Sequence, residues 1–269
     1  MKKVIFVTGV SSGFGLQIAK TLSSQGHIVY GSVRKDGYIL DNVNLVKMDV
    51  TSEQQVKSTI DGIVSKEGRL DVLINNAGMH TGGAAETTLP DTIRLQMETN
   101  FNGLVNLTKE VLPHMRKLGW GRIINFSSIG GLMGLPFQAY YSASKFAVEG
   151  FSEALRMEVS TSNIEVIVIN PGDFSTSNSA NRRNYLAPHS EGDTYYGQFQ
   201  RTLAVIEKDE TGGLDPAILA KKIGRIVNKK NPKHRYVIAS AEQKFAVLLK
   251  RILPSKLFFK ILTSHYKIG

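Results

Sequence analysis

The amino terminus limits the fold more than any other stretch. Lys3-Val4-Ile5-Phe6-Val7 is a short apolar run that ends in Thr8-Gly9-Val10-Ser11-Ser12-Gly13-Phe14-Gly15, after which Leu16, Ile18, Ala19 and Leu22 recur at helical spacing. The order reads as strand, glycine loop, helix. Gly9, Gly13 and Gly15 permit a tight turn and close approach of a ligand to the backbone, and a helix start offers unpaired N–H groups and the positive end of a dipole. A pyrophosphate is therefore expected over Gly9, Ser11, Ser12, Gly13 and Gly15. The spacing is GxxxGxG rather than the GxGxxG of the usual dinucleotide turn, and a glycine-rich turn without a ligand is the alternative.

Six more runs read as strands: Ile28-Val29-Tyr30-Gly31-Ser32-Val33, Leu45-Val46-Lys47-Met48-Asp49-Val50, Val72-Leu73-Ile74, Ile123-Ile124-Asn125-Phe126, Val166-Ile167-Val168-Ile169 and Tyr236-Val237-Ile238. Helix-length amphipathic segments separate most of them. This alternation predicts an α/β fold with a doubly wound parallel sheet of about seven strands. The 269 residues, 42% of them hydrophobic and undivided by any low-complexity linker, suffice for one sizeable core.

Tyr141-Ser142-Ala143-Ser144-Lys145 sets a phenol and an ammonium four residues apart, on one face of an expected helix. A phenol titrates near pH ~10 and is a poor acid-base catalyst at neutral pH, but a neighbouring cation favours phenolate. Tyr140 competes for the role, yet five residues from Lys145 amount to about 500° of helical rotation, which points it elsewhere. Such a pair alone is common on amphipathic helices.

Taken together, Thr8-Gly9-xxx-Gly13-x-Gly15, Asn75-Asn76-Ala77-Gly78, Asn100, Ser128, Tyr141-xxx-Lys145 and Asn170-Pro171-Gly172 resemble the short-chain dehydrogenase/reductase family in order and interval. The resemblance is close over about 180 residues and looser to about residue 240. Asp215-Pro216 opening a helix and Arg235-Tyr236-Val237-Ile238 as a final strand look most like its retinol- and 17β-hydroxysteroid-dehydrogenase-like members and their bacterial relatives.

The resemblance implies a Rossmann-type oxidoreductase moving a hydride between a nicotinamide and an alcohol, ketone or aldehyde, with an apolar substrate. Tyr141 is then the acid or base, Lys145 tunes it and holds the nicotinamide ribose, and Asn100, within a long helical segment read from Asp91 to Leu118, keeps a water on a proton relay. Ser128, thirteen residues before the tyrosine, polarises the substrate oxygen, with Ser127 as its structural neighbour. At the end of the second strand Val33 is followed by Arg34 and Lys35, where an NAD enzyme usually presents a carboxylate; the basic pair suits a 2′-phosphate, so NADP(H) is expected over NAD(H). Asp49 and Val50 resemble the pair at the adenine, though Asp49 could instead cap a helix starting near Ser52. Asn76, Ala77 and Gly78 leave room for ribose and nicotinamide. Pro171, Gly172, Phe174 and Thr176 close the cofactor site, while the polar stretch 177–213 is read as a substrate lid.

With no cysteine, disulfides, thiol nucleophiles and thiolate metal sites are excluded, and six scattered histidines show no HxxxH or HExxH spacing, so no metal is expected. No signal peptide or membrane span is read, and a cytoplasmic homo-oligomer is expected. The basicity is local. Residues 215–269 carry 13 Lys and Arg against 2 Asp and Glu, net +11, whereas the whole chain is +10. In residues 242–269, apolar groups alternate with Lys244, Lys250, Arg251, Lys256 and Lys260, and Pro254 is expected to split the segment into two short helices. Such an extension fits an anionic membrane surface, or it packs over the substrate cleft or a partner subunit. Nucleic acid is disfavoured because no recognition motif accompanies the charge. A dinucleotide sensor without turnover and a membrane-surface scaffold are the other function classes; neither needs Tyr141, Lys145 and Ser128 together.

Overall fold

Why the apolar runs become strands shows in their burial. In β1 (Val4–Val7), Val4 and Phe6 join a core on one side of the sheet while Ile5 and Val7 join another on the opposite side. A strand buried on both faces needs helices on both, and the alternation supplies them. A computed structural model describes residues 2–175, 186–188 and 192–268. Its strands β1, β2 (Ile28–Val33), β3 (Asn44–Lys47), β4 (Val72–Asn75), β5 (Gly121–Phe126), β6 (Ile164–Pro171) and β7 (Arg235–Ile238) form one sheet in the order β3-β2-β1-β4-β5-β6-β7. Every pairing is parallel. The longest runs from Gly121 opposite Ile164 to Phe126 opposite Ile169.

Over one face lie α1 (Gly13–Ser24) and α7 (Pro216–Asn228), contributing Ile18, Leu22, Leu219, Ile223 and Val227. Over the other lie α2 (Glu53–Glu67), α4 (Gly103–Leu118) and α5 (Ala139–Glu158), contributing Val56, Ile60, Leu107, Val111 and Leu155. Each such aliphatic side chain contributes about 1.5–3 kcal/mol by leaving water. Asp215 caps α7 by accepting from the Ala217 N–H at 2.8 Å, with Pro216 next to it where a missing N–H costs nothing. Arg122, 2% exposed, closes its other end: Nη1 donates to the carbonyls of Ile226 and Val227 at 2.6 and 2.8 Å and Nη2 to that of Lys229 at 2.8 Å, while Glu165 pairs with the guanidinium. A cation on orphaned C-terminal carbonyls also suits the helix dipole.

Two expectations are modified. β3 ends at Lys47, so Met48, Asp49 and Val50 follow the strand. The segment from Asp91 to Leu118, read as one helix, is α3 (Pro90–Met97), a π-helical turn Glu98–Asn102 and then α4. The wider turn places Asn100 in the interior, at 2% exposure. Beyond the sheet, α6 (Tyr196–Thr211) precedes α7, and the chain ends in α8 (Ala241–Ile252) and α9 (Ser255–His265), divided at Leu253-Pro254 as expected. Among the described residues no helix is long and apolar enough to cross a membrane.

Candidate active site

From β1 the chain winds one way to β2 and the other way to β4, and a crevice opens at the carboxyl ends of the strands where that order reverses. A cleft of about 690 Å³ occupies it. At one end α1 begins. Ser12 precedes the helix in extended geometry and makes no side-chain cap, and no acidic residue stands in the first turn, so the N–H groups there are open to an anion. A Cβ at Gly15 would lie 2.2 Å from the Gly9 carbonyl oxygen and 2.6 Å from Asn76 Nδ2, so only glycine lets loop and helix meet this closely. Asn76 Nδ2 donates to the carbonyls of Thr8 and Gly9 at 2.8 and 3.2 Å, and Thr8 Oγ1 accepts from the backbone of Asn76 and Ala77 at 3.0 and 2.9 Å. The glycine loop is thus tied to the end of β4. Gly9, Ser11, Ser12 and Gly13 all line the cleft.

Arg34 and Lys35 are exposed and line the same cleft beyond β2, whereas the nearby Asp36 is paired with Lys47. The nucleotide end is basic. Asp49 and Val50 line it too. Asp49 does not cap α2: its Oδ1 accepts from Thr51 N and Oγ1 at 2.9 and 2.8 Å, and the cap is Ser52, accepting from Gln55 N at 3.4 Å. These residues fit a phosphorylated dinucleotide.

At the other end stand Tyr141, Lys145 and Ser128. Tyr140 is turned away and donates its hydroxyl to the Ala85 carbonyl at 3.0 Å. Lys145 is buried, with Nζ 5.9 Å from the Tyr141 ring centroid and donating to the Phe126 carbonyl at 2.9 Å. Burial lowers its pKa to about 8, against the opposing pull of Glu149. Ser128 Oγ accepts from Gly130 N at 3.0 Å, which leaves its proton to give. Ser127 spends its hydroxyl on the Lys145 carbonyl at 3.3 Å.

Asn100 clamps two elements. Its Oδ1 accepts from Met79 N at 2.7 Å, and its Nδ2 donates to Met79 O at 2.9 Å and to Ser144 Oγ at 3.1 Å. A Cβ on Gly78 would meet Asn100 Oδ1 at 3.2 Å and Lys145 Nζ at 3.8 Å, so this glycine leaves the two groups facing a common space. Asn75 turns inward instead, donating to Asn125 Oδ1 at 2.9 Å.

Pro171, Gly172 and Phe174 line the cleft's far wall. This loop is held by α8, where Gln243 accepts from Asp173 N at 3.2 Å and donates to the Asp173 carboxylate. Thr176, Arg182, Arg183 and Tyr185 lie outside the described residues, as does part of the expected lid; its remainder is mostly the helix α6, with Phe199, Thr202 and Ile206 buried.

The family is decided by comparison. The family model "short chain dehydrogenase" matches residues 3–186. The chain belongs to this family. A 3-ketodihydrosphingosine reductase of Bacteroides thetaiotaomicron is 46% identical over 266 residues, covering 99% of this chain and 98% of the relative. A short-chain dehydrogenase structure from Streptomyces avermitilis superposes with TM-score 0.82 at 29% identity, covering 100% and 98% of the two chains. ElxO with NADP bound superposes with TM-score 0.73 at 28% identity, covering 88% and 97%. This short-chain dehydrogenase is an oxidoreductase that moves a hydride between a nicotinamide and an alcohol or carbonyl group, and structures similar to it hold NADP.

Several of its cleft residues carried no readable signal. His80 stacks on the Tyr141 ring, centroids 4.0 Å apart and planes 23° from parallel. Ile206, Asp209 and Glu210 of α6 and Tyr266 after α9 also line the cleft. Burial, and after it the charges of Asp173, Asp209 and Glu210, raise the Tyr266 pKa well above the ordinary phenol value.

Proposed function

We propose that this enzyme reduces the 3-keto group of a long-chain 2-amino ketone of the 3-ketodihydrosphingosine kind. The observation that carries it is the 46% identity, from end to end, to the reductase of that name. Two features of the cleft support it. Ile129, Leu135, Ile206 and Phe174 offer an apolar wall, and Asp209 and Glu210 make the adjoining lining acidic, which favours a substrate carrying an ammonium group. The finer placement near the retinol- and 17β-hydroxysteroid-dehydrogenase-like members belongs to the same proposal, since all of these imply an apolar alcohol or ketone.

The nicotinamide, when bound, supplies the hydride. Tyr141 gives the proton to the developing alkoxide, and in oxidation takes it back. Ser128 donates a hydrogen bond to the substrate oxygen. Lys145 favours the ionised phenol and holds the nicotinamide ribose, and Asn100 keeps the relay behind Lys145 in register. Gly9, Ser11, Ser12, Gly13 and Gly15 receive the pyrophosphate, Arg34 the 2′-phosphate, Asp49 and Val50 the adenine, and Asn76, Ala77 and Gly78 the ribose and nicotinamide. Pro171, Gly172, Phe174 and Thr176 close over the carboxamide.

We assign residues 1–241 to the catalytic unit and 242–269 to an extension that covers it. Exposed Phe146 and Met157 on α5 fit a homo-oligomer contact. The protein is assigned to the cytoplasm, at the periphery of a membrane where long-chain substrates reside. The test is NADPH consumption with 3-keto-2-amino substrates of graded chain length. Rates rising with chain length and falling on removal of the amine are expected; a flat response to both would refute the assignment.

A further inference from the structure

The two C-terminal helices have two apolar sides, and only one is used. Val247, Leu249, Leu253, Phe258 and Leu262 pack with Ile129, Leu132, Met133 and Leu135, the loop that follows Ser128. The end of the hairpin is fastened to α6: Thr202 Oγ1 donates to the Tyr266 carbonyl at 3.0 Å, and His265 Nε2 lies 3.0 Å from Asp209 Oδ2. This side of the hairpin is a wall of the catalytic cleft, through Tyr266. The packing alternative for the extension is therefore realised on this side.

The other side remains in solvent. Phe245, Leu248, Ile252, Leu257, Phe259 and Ile261 are 43% to 63% exposed, six of the fourteen exposed large apolar side chains among the described residues, gathered within 17 positions. Phe245, Leu248 and Ile252 fall at helical spacing on one stripe of α8, and Leu257 and Ile261 on one of α9. Lys244, Lys250, Arg251, Lys256 and Lys260 stand among them, and Glu242 is the single acidic residue of the two helices. Two occupants could cover such a face. A second copy related by a two-fold axis would bring these five cations against their own images, which is repulsive. An anionic bilayer answers both the charge and the apolar side chains.

We propose that the α8–α9 hairpin docks this enzyme on an anionic membrane surface and that a long-chain substrate passes from the bilayer into the cleft along the hairpin's inner side. The inference rests on the long-chain reading of the substrate for its second half only. The Lys and Arg side chains set the affinity by their attraction to the surface, the five apolar side chains of the two stripes enter the headgroup boundary, and the part of the cleft wall that Tyr266 contributes just after α9 lies next to the lipid.

The experiment measures sedimentation of the full-length protein with phosphatidylcholine vesicles, with and without phosphatidylserine. Binding to anionic vesicles, at least tenfold stronger than to neutral ones and released by salt, is expected. Lys244→Glu, Lys256→Glu and Lys260→Glu together should lower it by about a hundredfold, and Phe245→Ser with Ile252→Ser by at least tenfold. Both variants should keep normal reduction of a short, water-soluble ketone, which reports intact folding and chemistry, while losing kcat/KM on a vesicle-embedded long-chain keto-amine. Equal partition onto neutral and anionic vesicles, undiminished binding by either variant, or a change of oligomeric state in ultracentrifugation with binding unaltered would overturn the proposal. Should no form of the enzyme reduce keto-amines, the substrate reading fails, but the vesicle result still decides the docking.

Discussion

Lys145 couples the chemistry of the site to the stability of the fold, and the coupling has a sign. Its pKa falls from an ordinary 10.5 to about 8 because burial removes the ammonium from water. That difference corresponds to about 3 kcal/mol between the two protonation states. Below about pH 8 the lysine is charged in both folded and unfolded chains, so the folded protein carries the whole desolvation cost. Between about pH 8 and 10.5 the unfolded chain binds more protons than the folded one, and this residue's contribution to stability rises with pH. Lys145→Met has no such dependence. It also strips the Phe126 carbonyl of its donor, a cost of about 1–3 kcal/mol that does not vary with pH. The difference between the two proteins is therefore the readout, not either value alone. Urea unfolding of the cofactor-free forms should show wild type gaining about 2.5 kcal/mol on the variant from about pH 7 to about pH 10, with unchanged m-values. Parallel stability curves across that window would refute the reasoning, since they would mean that Lys145 titrates alike folded and unfolded.

Tyr141→Phe should abolish turnover while NADPH binding by fluorescence titration persists, and Tyr140→Phe should be mild because its hydroxyl only meets the Ala85 carbonyl; the reverse pattern would move the acid to Tyr140. Arg34→Ala should weaken NADPH binding by roughly tenfold or more and leave NADH nearly unchanged, as a charge-assisted bond is lost for the first alone; equal losses in calorimetry would make Arg34 structural. His80→Ala should lower kcat without affecting NADPH affinity, and His80→Phe should restore it, because a ring at 4.0 Å holds the phenol in place; an inactive Phe variant would show that the imidazole acts chemically. Arg122→Met should cost about 3–5 kcal/mol in urea unfolding, as it strands Glu165 and uncaps α7; a loss below about 1 kcal/mol would show that water replaces the cap.

What was legible in the sequence, and what was not, divides by distance along the chain. The glycine loop and Asn76-Ala77-Gly78 each sit within a few residues at one strand end, and Tyr141 with Lys145 on one turn of α5, so a local pattern carries the geometry of each. Strand runs were equally plain, because burial on both faces leaves little room for polar residues. The π-helical turn at Asn100 was hidden: one extra residue in a helical turn does not alter the apolar spacing enough to show. Helix α6 looked like polar loop because only Phe199, Val205 and Ile206 mark its inner side.

The substrate wall is the least legible part for a physical reason. Parallel strands bring together segments that lie far apart in the chain, and here Leu135, Ile206, Glu210 and Tyr266 line one cleft although more than 130 residues separate the first from the last. No spacing rule links them. The cofactor end is shaped for one chemistry, a phosphorylated dinucleotide, through backbone geometry that glycine must supply, so its residues announce themselves. The substrate end needs only shape and a few charges, which many residue types provide. The outer charge of the C-terminal hairpin was visible from composition alone, but whether its apolar residues faced in or out depended on two helices folding back onto the loop after Ser128. Both happen, and that is why one segment can wall the cleft on one side and present a basic apolar surface on the other.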